Sequence, residues 1–218
     1  MGGVPRRQTL GAAARQAAEA IGKGSKSFAV NVKGLDVPAW DPRGKKGMGI
    51  SYATGDVGAS HLRGWPITTD LPDSSALDVI ESMLEQRDIK ILRNSLIVCH
   101  FTYHFPLSLD QNITMLNGAV GISYDKESIS LFGQRVETLA RLFNIREGIS
   151  RKDDILPPRF WEPQTHSPAK GMKSFVSQDD FEMFLDKYYE LRGWSKDGIL
   201  TKETIRKLGL NSLVSKGN

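Results

Sequence analysis

Cys99, His100 and His104 place three soft or borderline donors within six residues. If the chain is helical there, His100 and His104 share a face, as two imidazoles on one zinc ion would require. No second donor cluster follows, and neighbouring side chains on a helix diverge by about 100°, so Cys99 and His100 point apart. Ser60-His61 pairs a nucleophile with a base, but residues adjacent in sequence seldom meet in a triad and no third group accompanies them. Gly22-Lys23-Gly24-Ser25 has the composition of a phosphate loop without its leading glycine or preceding strand, and reads instead as a helix C-cap. Asp179-Asp180 falls in the first turn of a helix, where the macrodipole favours acid. Asp153-Asp154 lies at a loop entrance near Arg151 and Arg159 and reads as a salt-bridged anchor. By residue type and spacing alone, these groups describe a helical domain and no catalytic constellation.

The elements that would position them are nearly all helices. Thr9 caps an Ala-rich run through Gly24. Asp41-Pro42 reads as an N-cap with proline at the first helical position. The small residues Gly47, Gly49, Ser51 and Ala53 that follow permit close backbone approach. Ser74 or Ser75 opens a helix through Arg87 with Leu77, Ile80 and Leu84 on one face. Asp88 to Phe101 continues as a second apolar segment in which Leu92, Leu96 and Cys99 align, turning Cys99 toward a packed interior or a buried site. Ser108 and Gln111 form a capping box for a helix reaching Asn117. Asp125 starts the longest helix, which runs to Glu147 before Gly148 and carries Leu131, Val136, Leu139 and Leu142. Residues 149 to 176 hold four of the ten prolines and read as a surface excursion. Ser177 and Thr201 cap the last two helices, stopped at Gly193 and Gly209. Only Phe28 to Val32 alternates with period two, so the predicted class is all-α, an irregular helical bundle.

Composition bounds the function. One cysteine among 218 residues can form no internal disulfide and cannot alone hold zinc or an iron-sulfur cluster. No apolar run approaches the roughly 18–20 residues of a membrane span and the N-terminus has no apolar signal core, which predicts a soluble cytoplasmic protein with no membrane partner. Lys and Arg outnumber Asp and Glu by 29 to 25, and residues 1–50 hold nine of the basic residues against three acids. That basic end could meet phosphate, yet no aromatic interleaving or zinc-finger spacing accompanies it, so a solvated or partner-facing surface is preferred over nucleic acid. One functional reading is accordingly a non-catalytic helical interaction module that uses this N-terminal face.

Longer motifs point elsewhere. Phe143-Asn144-Ile145-Arg146-Glu147-Gly148, Asp153-Asp154-Ile155-Leu156-Pro157-Pro158-Arg159-Phe160 and Tyr188-Tyr189-Glu190-Leu191-Arg192-Gly193-Trp194, in this order and spacing, resemble the C-terminal part of the tungsten-containing aldehyde ferredoxin oxidoreductase family. Upstream, Val32 to Pro38, Asp41-Pro42-Arg43-Gly44, Tyr52-Ala53-Thr54 and His61-Leu62-Arg63-Gly64 resemble the same family. The similarity runs from about residue 10 to residue 210. It implies residues 1–35 as the end of the family's second helical domain and 36–218 as its third.

The resemblance implies an oxidoreductase that converts aldehydes to carboxylic acids and passes electrons through a four-iron four-sulfur cluster to ferredoxin. Its cofactor is a tungsten (or molybdenum) bis-pterin, cradled by an N-terminal part that would be a separate chain or missing segment. On this basis the isolated chain is expected to be inactive. Cys99, in Asn94-Ser95-Leu96-Ile97-Val98-Cys99, stands where the fourth cluster cysteine is expected, the other reading being a buried structural cysteine. Asn94 and Val98 of that motif are implied to touch the cofactor. His61 stands where the family has a histidine near the metal, a proton donor or hydrogen-bond partner. Arg63 matches a basic position at the pterin phosphates. Two motifs depart from the family. Asn94 and Ile97 replace an aspartate and a glycine, and Val57-Gly58-Ala59-Ser60-His61 replaces Arg-Gly-x-Cys-His.

Overall fold

A computed structural model describes residues 14–68, 70, 74–99, 101 and 108–214. Helix α1, Ala14–Ile21, ends in a left-handed run at Gly22, Lys23 and Gly24, so the glycine-rich stretch is a C-cap as expected. The capping position expected at Thr9 lies outside the described residues. A two-residue hairpin follows, β1 (Asn31–Val32) paired antiparallel with β2 (Leu35–Asp36). Its turn residues Lys33 and Gly34 have φ of 49° and 83°, the paired positive values of a tight hairpin turn. Residues 35 and 36, between which the resemblance puts a domain boundary, both belong to β2.

Helix α2, Lys46–Ala53, starts later than Asp41-Pro42 suggested. The Asp41 carboxylate instead accepts from the Arg43 amide at 2.9 Å and its guanidinium, closing a turn. The first-turn amides of α2 are met by Asp70, far off in sequence, whose carboxylate accepts from Gly47 N at 2.7 Å. The small residues act as predicted: a Cβ on Gly49 would lie 2.9 Å from the Phe175 ring, and α2 is buried from Gly47 to Ala53.

The two segments expected between Ser74 and Phe101 are instead one 20-residue helix, α3, Ala76–Ser95, capped by Ser75. It ends in a Schellman turn in which Ile97 N–H donates to Asn94 O and Val98 N–H to Arg93 O, each at 3.1 Å. The left-handed residue of that turn is Ile97, at φ 58°. Cys99 therefore lies beyond the helix, and its thiol is exposed, not turned into a packed interior.

Helix α4, Leu109–Val120, has the expected Ser108–Gln111 capping box and closes on left-handed Gly121. Helix α5, Lys126–Arg146, is capped by Asp125. It crosses α3 closely enough that a Cβ on Gly133 would sit 2.7 Å from the Asp88 Cα. The buried side of α5 is Ile129, Gly133, Glu137, Thr138 and Arg141, while Leu131, Val136 and Leu139 face outward. The apolar periodicity thus marks the outer face of this helix.

Residues 149–176 are more than a surface excursion. Two short 3-10 turns, Arg151–Asp153 and Pro158–Trp161, carry Asp154, Leu156 and Phe160 inward, and Ser174 and Phe175 are buried too. Helix α6, Gln178–Leu191, capped by Ser177, then lays Phe181, Phe184, Leu185, Tyr188 and Tyr189 into the interior. Helices α7 (Lys202–Lys207, capped by Thr201) and α8 (Asn211–Val214) complete the described chain. The main core joins α2, α3, α6 and the 156–175 segment around edge-to-face aromatic pairs such as Phe175–Phe181, centroids 5.1 Å apart. A satellite cluster of Leu92, Ile113 and Ile129 holds α4 against α3 and α5. Among the described residues the fold is all-α apart from the hairpin and one isolated bridge between Trp194 and Leu200.

Candidate functional site

Charge buried at the centre of the bundle organises the site. Arg87 of α3 donates to Glu137 of α5 and to the Ser51 carbonyl at 3.1 Å, and also bonds the Thr54 hydroxyl. Glu137 also accepts from Tyr188 at 2.9 Å and pairs with Arg192, which reaches on to Asp88 at 2.8 Å. A second set centres on Asp154, fully buried, which pairs with Lys33 at 2.7 Å and Arg141 at 2.8 Å and accepts from the Tyr189 hydroxyl. The Asp154 anchor predicted from sequence exists, with Lys33 and Arg141 in place of Arg151 and Arg159.

Each group's titration follows from its surroundings. Burial alone would raise the Glu137 pKa, but Arg192 and Arg87 outweigh it and hold the carboxyl below its ordinary value. Burial pushes the Tyr188 phenol up, with the Glu137 charge adding to the effect. Lys33 is lowered by burial against the opposing pull of Asp154. Charged partners in a dry interior are strong constraints on geometry, because removing either one strands the other.

Beside this network lies a cavity of about 70 Å³ between α3, α5 and the end of α2. Its walls include Thr54, Asp56, Arg63, Arg87, Ile91, Asn94, Val136, Glu137, Ala140, Arg141, Asn144 and Trp194. Three wall residues carry buried N–H donors without a hydrogen-bond partner among the described residues: Arg87 Nε, Arg141 Nη2 and Trp194 Nε1. Unpaired buried donors favour an acceptor-rich guest.

The structure brings two of the sequence-predicted residues together. Arg63 and Asn94 share this cavity, Arg63 being ion-paired to Asp56 at 3.1 Å. His61 is not on its wall; the imidazole packs edge-on against Trp65, centroids 5.6 Å apart, with Nδ1 buried and unpartnered. Ser60 Oγ accepts from the Leu62 amide at 3.3 Å, and no bond to His61 supports a nucleophile–base pair. Val98, half-buried, and exposed Cys99 follow Asn94 past the end of α3. Burial, with the Arg93 charge adding to it, lowers the Lys90 pKa. His100 and His104 lie outside the described residues, and among those described no group of three potential metal ligands exists.

Arg87, Glu137, Arg141 and Asp154 are what residue-type reasoning missed. A faint signal was present: Glu137 and Arg141 stand four apart on α5 and so share a face. Asp154, Tyr188, Tyr189 and Arg192 all occur inside the motifs that carry the family resemblance.

Fold and site together define a helical domain with a buried ionic centre and a small cavity beside it. The family model for aldehyde ferredoxin oxidoreductase, domains 2 and 3, matches residues 6–210, and the chain belongs to this family. It is 34% identical over 197 residues to the tungsten-containing aldehyde ferredoxin oxidoreductase of Pyrococcus furiosus, covering 86% of this chain and 32% of that protein. It is also 27% identical over 191 residues to the WOR-like subunit of an aliphatic sulfonate oxidoreductase of Pyrococcus furiosus, covering 84% of this chain and 28% of that one. Among solved structures, the active site complex BamBC of benzoyl coenzyme A reductase with 1,5-dienoyl-CoA superposes with a TM-score of 0.66 at 20% identity. It covers 93% of this chain and 36% of that one, which shows a shared fold. The chain spans about a third of the length of the curated relatives it matches.

The cofactors implied by the resemblance can be tested against these residues. An amide at Asn94 and a cation at Arg63 suit an anionic group such as a pterin phosphate, which would have to displace Asp56 from Arg63 and lie beside the Glu137 carboxylate. At about 70 Å³ the cavity is about half the size of one that takes a benzene (about 150 Å³), so this chain would supply one wall for a pterin and not an enclosure. Cys99 suits one corner of an iron-sulfur cluster in that it is a free, exposed cysteine. The remaining three ligands would come from other polypeptide.

Proposed function

We propose that the chain is the C-terminal helical part of a tungstopterin oxidoreductase that oxidises aldehydes to carboxylic acids with ferredoxin as electron acceptor. It would act with polypeptide that supplies the rest of the cofactor site. The observation that carries this reading is the meeting of Arg63 and Asn94 on one cavity wall, with Cys99 exposed five residues beyond Asn94. When bound, the tungsten pterin would supply the two-electron chemistry and the cluster would accept the electrons.

This chain's residues would bind and orient. Arg63 would offset phosphate charge, and in doing so would exchange Asp56 for the ligand. Asn94 would hydrogen-bond the pterin ring through its amide, without the charge an aspartate would bring. Cys99 would provide one thiolate to the cluster, with Val98 beside it. His61, packed edge-on against Trp65, would be the proton donor or hydrogen-bond partner to substrate only after its buried Nδ1 is uncovered.

The test is anaerobic purification of the chain with and without the polypeptide that completes the family's length, followed by iron and tungsten analysis and viologen-linked aldehyde oxidation. The expected result is metal and activity in the complex alone, with Cys99→Ser losing iron. A complex that holds neither metal retires the proposal in favour of a non-catalytic interaction module.

A further inference from the structure

The ion pairs buried at the centre of the bundle do not balance. Around Glu137 they do, since Arg87 and Arg192 are matched by Glu137 and Asp88. Around Asp154 they do not: Lys33 at 2.7 Å and Arg141 at 2.8 Å share this one carboxylate, and all three side chains are at most 6% exposed. The connected groups are thus four cations against three carboxylates, a surplus of one positive charge. The two tyrosines bonded to these carboxylates supply no negative charge, because burial pushes both phenols up. Lys33 registers the surplus: burial lowers its pKa against Asp154, and the Arg141 and Arg87 charges add to the lowering. Glu182 and Asp186, the acids around Arg151, have side chains 40% and 44% exposed and are solvated by water. An unmatched charge in a dry interior is strongly destabilising unless a counterion reaches it.

Space for a counterion lies beside Arg141. Its Nε donates to the Gly198 carbonyl at 3.0 Å and its Nη1 to Asp154, while Nη2 is buried with no hydrogen-bond partner among the described residues. Trp194 Nε1 is in the same condition, and the Arg141 Cζ lies 5.5 Å from the centroid of the Trp194 ring. Both residues line the cavity of about 70 Å³, as does Arg87 with its unpartnered Nε. The acids on the wall are already spent. Asp56 pairs with Arg63, and Glu137 gives one oxygen to Arg87 and Tyr188 and the other to Arg192. The cavity is several times the roughly 10–15 Å³ that one water needs and about half the roughly 150 Å³ that admits benzene, which suits an ion of a few heavy atoms. Its walls at Asn94, exposed, and at Asp56 and Arg63, half-buried, open it to solvent.

We propose that the inner end of this cavity, at Arg141 and Trp194, binds one small monovalent anion, a halide or a one- or two-carbon carboxylate, as the counterion of the buried centre. A guanidinium N–H and an indole N–H in a dry pocket select a single negative charge and demand little of its shape. The ion compensates Lys33 and Arg141 together, and so fastens the β1–β2 turn, α5 and the Gly198 turn into one unit. The proposal does not depend on the tungstopterin reading, whose residues Arg63 and Asn94 stand at the solvent side of the cavity.

The test titrates chloride, formate and acetate into the full chain in gluconate buffer, at constant ionic strength near neutral pH, and reads the melting temperature. Crystals grown with bromide locate the ion by anomalous scattering. The expected result is a saturable rise in melting temperature with chloride or formate, and a bromide peak within hydrogen-bond distance of Arg141 Nη2 and Trp194 Nε1. Formate binding more tightly than chloride assigns the site to carboxylates and the reverse assigns it to halides; either supports the proposal. Trp194→Phe keeps an aromatic ring, deletes the N–H and should weaken binding at least tenfold. Lys33→Met, at a residue off the cavity wall, should weaken it equally, because Arg141 and Asp154 then balance; Lys170→Met, at an exposed position, should change nothing. If Lys33→Met does not fold, Arg141→Gln leaves the same balance between Lys33 and Asp154. Melting that follows ionic strength alike for every anion overturns the proposal and assigns the balance to an uncharged Lys33. A saturable effect untouched by Trp194→Phe and by Lys33→Met overturns it as well, as does a bromide peak without a melting shift.

Discussion

The body around Tyr188 and the end around Cys99 are held by different physics. In the body, a core from Val32 to Trp194 buries aromatic side chains at close edge-to-face contact, and paired charges sit within it. At the Cys99 end, three buried aliphatics, Leu92, Ile113 and Ile129, secure α4 and the turn after α3. Burial scales with stability, so the body should open only with the whole molecule while the Cys99 end opens locally. The body presents Arg63, and the less deeply packed end presents Asn94 and the thiol.

The largest effect expected of a break in this contrast is at Glu137. Glu137→Leu strands Arg87 without a carboxylate and leaves Arg192 with Asp88 alone, and should cost about 3–5 kcal/mol, measured by urea unfolding. The same carboxylate sets an acid limit. Its folded pKa is held below the ordinary value, so its stabilising contribution is present above about pH 4.3 and is lost as pH falls through the lower folded value. Glu137→Gln should remove that part of the pH dependence; an unchanged acid profile would show that Glu137 gains nothing from its arginines.

Gly133→Ala tests the crossing that joins the two regions. The new methyl would meet the Asp88 backbone, forcing α3 and α5 apart at a cost of about 1–3 kcal/mol. Thermal melts should show a loss, and hydrogen exchange should quicken in both helices.

Ile97→Gly sharpens the contrast with the smallest effect. A β-branched residue at φ 58° is strained by about 1–2 kcal/mol, and glycine removes that strain at some entropic cost. A net gain of about 1 kcal/mol or less is expected, seen as slower amide exchange confined to residues 92–98. It also explains the glycine of the family motif in backbone terms, since the position needs left-handed φ whatever it touches.

Capping was the most legible layer of the sequence. Ser75, Ser108, Asp125, Ser177 and Thr201 each cap the helix they precede, because a cap is a bond between residues three apart. Asp41 misled for the same reason: a local bond to Arg43 competed with the helix, and the amides of α2 went to Asp70, 23 residues away. The apolar spacing on α5 was visible, but which side of the helix faces the core depends on partners elsewhere in the chain. Of the candidate site, Arg63 and Asn94 were reached through motif resemblance, whereas their shared cavity and its unpartnered donors were not visible in any local pattern.

By itself the sequence determined the helical class, most helix starts, the small-residue packing of α2 and the family. All of these rest on interactions within a turn or two of chain, or on motif order. Only the tertiary structure decided that Glu137 and Arg141 are buried while Leu139 and Phe143 are exposed, that Lys33 pairs with Asp154, and that Cys99 stands at the surface. Those outcomes depend on which groups meet across long loops, where the energy of pairing charges or covering apolar surface is set by neighbours that no local spacing names.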